Sequence, residues 1–164
     1  MNNHVFLDIE TTGLEIWKVR IVQICLMFGD NIKTIRINPG VKISEGAQRV
    51  HNISDEDVKD LPTFSHWAQR IYDILNKSDG YIGYNIKLYD LPILNQELLR
   101  CGYELPDKIV IDVLDQVKTF EPDRKLSSVY LRYFGEKLSG AHSADVDVMA
   151  TKRIMEYIQE KLKN

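Results

Sequence analysis

The chain has 164 residues, 44% hydrophobic and 27% charged, which suffices for one core and is ordinary for a globular protein in water. No apolar run approaches the length of a membrane span and no signal-peptide pattern opens the chain, so no membrane partner is expected. Cys25 and Cys101 lack metal-type spacing and read as reduced thiols of a cytoplasmic protein. The net charge of −3 argues against a broad electrostatic nucleic-acid surface, yet it permits such a polymer to be handled at a small acidic site.

Residues 5–9 are apolar and partly β-branched and break at Thr11-Thr12-Gly13, the pattern of a strand running into a turn. Alternation along a strand places Asp8 and Glu10 on one side and Val5, Leu7 and Ile9 on the other. Residues 20–28 and 32–37 predict two more strands joined by Gly29-Asp30-Asn31, completing an antiparallel meander. Short helices are predicted over 44–50 and 54–59, the second with Ser54 as N-cap and acids in its first turn. A longer amphipathic helix follows over 63–75, with Phe64, Trp67, Ile71, Ile74 and Leu75 on one face. Then come a strand at 81–84, a helix at 91–101 with Leu91, Leu94, Leu98 and Leu99 inward, and a last strand at 109–113. Helices over 113–119, 126–134 and 143–162 complete the chain. With no repeat, low-complexity segment or linker, residues 1–164 read as one α/β domain built on a mixed sheet flanked by helices.

Asp8 and Glu10 side by side at a strand end repel each other, and a divalent cation with oxygen ligands is the usual compensation. A solvated acidic edge is the plain alternative. Asp90 opens the helix after the 85–89 loop, where Asp also serves as an N-cap and Pro92 suits a first turn. Asp147 shares the inward stripe of the last helix with Ala150, Ile154, Tyr157 and Ile158, so its carboxylate is buried at a cost or employed. Asp145 reads as a solvent-facing first-turn acid. His142, on the loop after Ser139-Gly140-Ala141, is placed to bring its imidazole beside Asp147. Asp112 and Asp115 read as a cap and a surface residue. Arg124, Lys125, Arg132 and Lys137 form a basic segment, either solvated or tracking a polymer backbone.

The order D-x-E (Asp8, Glu10), N-x4-D (Asn85, Asp90), H-x4-D (His142, Asp147) is far more specific than any one part. With it the chain resembles, over nearly its whole length, the DEDDh class of 3′→5′ exonucleases, which includes the proofreading (epsilon) subunit of bacterial DNA polymerase III. Phe6 to Leu14 resembles the first motif, Gly83-Tyr84-Asn85 to Leu94 the second, and His142 to Asp147 with Ala150-Thr151 the third. Histidine rather than tyrosine before the last acid separates the chain from the tyrosine variant of the superfamily. Two departures stand out: one more residue between Asn85 and Asp90 than many members have, and Gln23, off the metal site, where members often carry Glu.

The resemblance implies a ribonuclease H-like fold, with three antiparallel N-terminal strands plus two further strands. It also implies two divalent ions, Mg2+ or Mn2+, about 3.5–4 Å apart, which activate water and stabilise the leaving 3′-oxygen. Asp8 is then expected to bridge both ions, Glu10 and Asp147 to hold the nucleophile-side ion and Asp90 the second. His142 is expected to take the proton from the attacking water, a task suited to a side chain with an ordinary pKa of about 6.5. The backbone around Thr11 and Thr12, with Leu14, Ala47, Val50 and His51, is expected to hold the terminal nucleotide. Asn85 and Tyr89 are expected beside the scissile phosphate. The implied activity releases nucleoside monophosphates from single-stranded or frayed DNA 3′ ends in proofreading or repair, with a DNA polymerase as a candidate partner. An exoribonuclease acting on RNA 3′ ends or short oligoribonucleotides is the alternative. A binding module that does not cut is a third reading, but it would not need Asp8, Glu10, Asp90, His142 and Asp147 together.

Overall fold

In the computed structural model, which describes residues 3–117, 119 and 121–163, the first three strands are β1 (His4–Thr11), β2 (Ile21–Phe28) and β3 (Asn31–Arg36). They are followed by α1 (Glu45–His51), α2 (Asp55–Val58), α3 (Phe64–Lys77), β4 (Gly80–Gly83), α4 (Asp90–Arg100) and β5 (Ile109–Asp112). The chain continues through α5 (Val113–Val117), α6 (Leu126–Phe134) and α7 (Ala144–Lys163). The five strands form one sheet of order β3-β2-β1-β4-β5. The meander pairs antiparallel, whereas β4 joins β1, and β5 joins β4, in parallel. Parallel neighbours need long crossovers, and the segments containing α3 and α4 supply them.

β2 and β3 turn on Gly29-Asp30 alone, because Gly29 at φ +59° supplies the left-handed backbone of a tight hairpin. Asn31 therefore begins β3 instead of lying in the turn. Strand alternation divides the core in two. Val5, Leu7 and Ile9 of β1 pack with Ile24 and Leu26 against α3 and α4. Phe6 of β1 packs with Cys25, Met27 and Ile82 against α5, α6 and α7. Asp8 and Glu10 share the parity of Phe6, so they face the α7 side. Both cysteines are free thiols.

Leu91, Leu94 and Leu98 of α4 are buried, but Leu99 is 54% exposed. One helical step carries it about 100° off the inward stripe, and Glu97 occupies that stripe instead. Of the helix predicted over 113–119, Val113–Val117 form α5, residue 118 lies outside the described residues and residue 119 is in a turn. Among the described residues no helix is long and apolar enough to cross a membrane.

β4 is short: it pairs with His4, Val5 and Phe6 of β1 and stops at Gly83. The C-terminal half of β1 therefore overhangs its parallel neighbour. Gly83 marks the closest approach at this step, since a Cβ there would lie 2.1 Å from Ile86 Cγ2 and 2.8 Å from Leu7 O. Gly83→Ala is expected to destabilise the fold by about 1–3 kcal/mol, the usual range for overpacking a tight site, measured as the shift of the urea unfolding midpoint.

Candidate active site

Where β1 overhangs β4, its backbone lacks a sheet partner on that edge, and Asp90 takes the place of one. Asp90 is the first residue of α4, not its cap, which is Tyr89, and its Oδ1 accepts the Ile9 N–H at 3.1 Å. The extra residue in the 85–89 loop thus leaves Asp90 seated against β1. The loop is itself held from β5. Asp112 accepts the N–H groups of Asn85 (2.8 Å), Lys87 (3.1 Å) and Leu114 (3.1 Å). Asn85 adopts a left-handed backbone at φ 63°, which Asn tolerates better than most residues. Asp112 is more than a local cap, and sequence spacing alone does not reveal this. Asp115 is paired with Lys87 at 2.8 Å.

Asp8, Glu10 and Asp147 each turn a carboxylate oxygen to within 4.8 Å of the others. Burial, then repulsion from Asp90, Asp147 and Glu10, holds the Asp8 carboxyl well above its ordinary range. Burial and repulsion from Asp147 and Asp90 push Glu10 up to about 8. Burial pushes Asp90 up to about 7 against the opposing pull of the Ile9 N–H. Burial likewise pushes Asp147 to about 6, opposed by the His142 N–H and imidazole. The His142 imidazole offsets part of this negative charge at Asp147, and an all-oxygen anionic donor set is what a hard divalent cation takes. The residues present fit such an ion.

Asp147 comes from α7 with only 9% of its surface exposed, its N–H bonded to Ser143 O at 3.0 Å. Its carboxylate accepts the His142 N–H at 3.2 and 3.3 Å. His142 is exposed, in a left-handed conformation at φ 68°. Asp145 is half-buried and accepts from the Ser143 hydroxyl at 2.5 Å, so it does not simply face solvent. In the basic segment, Arg132 is engaged by Glu121 at 2.5 Å and donates to Asp123 O, which removes it from the cations available to a polymer backbone.

Beside the acids lies a cavity of about 330 Å³, lined among others by Glu10, Thr11, Leu14, Ala47, Val50, His51 and Tyr89. Leu14 is 87% and Val50 50% exposed. The polar side chains here are largely committed. His51 Nδ1 accepts the Ile53 N–H at 3.1 Å, which leaves Nε2 to donate to Thr11 O at 3.1 Å, and burial lowers its pKa. The Tyr89 hydroxyl lies 2.8 Å from both Gly13 O and Thr11 Oγ1. Ser44 Oγ caps α1 through the Ala47 N–H. Thr12 and Asn85 do not line this cavity. Thr12 is bound into the turn: its N–H goes to Arg20 O, its carbonyl accepts from Ser44 and its hydroxyl from the Arg20 N–H. That turn is anchored by Arg20, whose guanidinium grips the buried Glu97 at 2.5 and 3.1 Å.

The exonuclease family model RNase_T matches residues 5–155. Two proteins of Staphylococcus aureus named 3′-5′ exonuclease DinG, from strains bovine RF122 / ET3-1 and USA300, are each 29% identical over 168 residues, 98% of this chain and 18% of their own length. Among solved structures, E. coli exonuclease I in its zinc-bound complex with single-stranded DNA superposes with TM-score 0.85 at 20% identity. The same enzyme with a dA16 oligonucleotide gives 0.85 at 19%. Each match covers 96% of this chain and 40% of the other. The likeness shows a ribonuclease H-like fold, and the chain spans well under half the length of the proteins it matches.

All four raised carboxyls hold protons in the folded chain that they release when unfolded. The metal-free protein is therefore expected to lose stability as pH rises from about 4, near the ordinary carboxylate values, through about 8, the value Glu10 reaches. Ionised carboxylates bind the cation, so the rise in melting temperature on adding Mg2+ should grow over the same interval. Thermal unfolding across pH with Mg2+ or EDTA measures this, and a Mg2+ effect independent of pH would contradict the assignment.

Proposed function

The chain belongs to the RNase_T exonuclease family, and from that premise we propose that it removes nucleoside monophosphates from the 3′ ends of single-stranded or frayed DNA. The observation that carries this reading is that Glu10 belongs at once to the carboxylate cluster and to the wall of the small cavity. A terminal nucleoside in the cavity would present its phosphodiester to the cluster. Two further facts support the reading: E. coli exonuclease I is described in complex with single-stranded DNA, and the Staphylococcus aureus relatives are named as 3′-5′ exonucleases.

Asp8, Glu10 and Asp147, with Asp90 from α4, would hold divalent ions, Mg2+ or Mn2+. Bound there, such ions lower the pKa of water and neutralise charge on the phosphate oxygens. His142, exposed and tied through its own N–H to Asp147, would take the proton from the attacking water. Leu14, Ala47 and Val50 offer apolar contact to the terminal base. Because His51, Tyr89 and Thr11 spend their polar atoms on the chain, the cavity holds a base by shape and contact. Service in proofreading or repair, in a larger protein or beside a polymerase, fits this chemistry.

Equal amounts of 5′-labelled single-stranded DNA and RNA of one sequence test the reading. A ladder shortening from the 3′ end on DNA, absent with EDTA and in Asp8→Ala, is the expected result. A ladder mainly on RNA would move the substrate to RNA ends, and no ladder from folded protein would overturn the enzymatic reading. His142→Ala is expected to lower kcat at least about 100-fold, the lower bound for a general base, while Mg2+ still raises its melting temperature.

A further inference from the structure

Gln23 lies on β2 directly across from Glu10 and is only 4% exposed. It shares strand parity with Cys25 and Met27, which pack on the α7 side. Its Oε1 accepts the N–H of Ala144 at 3.1 Å. Ala144 is the first residue of α7 and fully buried. The first N–H groups of a helix have no partner within it, and one removed from water must find an acceptor elsewhere. Gln23 is that acceptor, although its sequence position suggests a place off the site. From this anchor the chain runs one turn to Asp147, whose carboxylate in turn holds the His142 N–H.

We propose that Gln23 is a positioning residue: its carboxamide fixes where α7 begins relative to β2, and so keeps Asp147 and His142 in register with Asp8 and Glu10. The inference rests on the reading of these carboxylates as metal ligands. A neutral amide does this without adding an anion opposite Glu10. Because α7 carries a carboxylate of the cluster and that carboxylate holds the N–H of His142, just before the helix, a small slide of its first turn would spoil both.

The test compares Gln23→Leu, which removes the acceptor at similar volume, with Gln23→Glu, which retains one. Mn2+ binding is measured by calorimetry on the protein alone, and kcat and KM on a single-stranded oligonucleotide. Gln23→Leu is expected to weaken Mn2+ binding and lower kcat, each by about 10-fold or more, as losses of groups orienting metal ligands do. KM for DNA should stay within about twofold of the wild-type value if only the first turn of α7 moves, and Gln23→Glu should recover the metal affinity. Gln23→Met stands in should the leucine variant not fold. Wild-type Mn2+ affinity in an acceptor-free variant, or equal losses in Gln23→Leu and Gln23→Glu, would overturn the proposal. If the wild-type protein cuts nothing yet Gln23→Leu still weakens Mn2+ binding and Gln23→Glu recovers it, the exonuclease reading fails and the positioning role stands.

Discussion

Carboxylates forced together at the end of β1 repel one another, and that repulsion is the constraint around which this molecule is arranged. Asp8 and Glu10 cannot separate, because strand alternation fixes both on the α7 side of the sheet. Asp147 arrives from α7 and Asp90 from α4, and of the four only Asp147 has a cationic group, the His142 imidazole, among the causes that shift it. Burial without compensation is costly. A fold that keeps such a group at the rim of its sheet is built to receive positive charge from outside the chain.

The position follows from topology. β1 changes from an antiparallel neighbour on one side to a parallel neighbour on the other, and β4 stops short of its end. Crevices beyond the carboxyl ends of strands, at such changes of direction, are where α/β sheets place ligands. The β1–β2 ladder also shifts register between Glu10 and Thr11. Irregularities of this kind re-aim side chains beside functional sites.

Rigidity around the cluster comes from polar groups bonded to other parts of the chain. Asp112 ties down the loop that delivers Asp90. The Arg20–Glu97 pair holds the turn that carries Leu14, and His51 clamps the end of β1 to α1. With a depressed pKa, that imidazole stays neutral at physiological pH, one nitrogen accepting and the other donating. Each contact is a polar atom spent inside the chain, so the cavity wall is left mainly with shape to offer a ligand.

The sequence by itself determined the alternation that puts Asp8 and Glu10 on one face, the meander, the helical periods and the three spaced motifs. These are local properties, set by periods of 2 and 3.6 residues and by turn chemistry. A run of leucines does not declare which of its members faces inward: Leu99 turns outward, and Glu97 takes the inner place through its pairing with Arg20, 77 residues away. Only the tertiary structure decided how Asp90 meets Ile9, why Thr12 is consumed by its own turn and what Gln23 does for α7. Each of these depends on a hydrogen bond between residues far apart in the chain or on two elements meeting in space. A strand register or a helix start is fixed by packing the whole sheet at once, which no local spacing encodes.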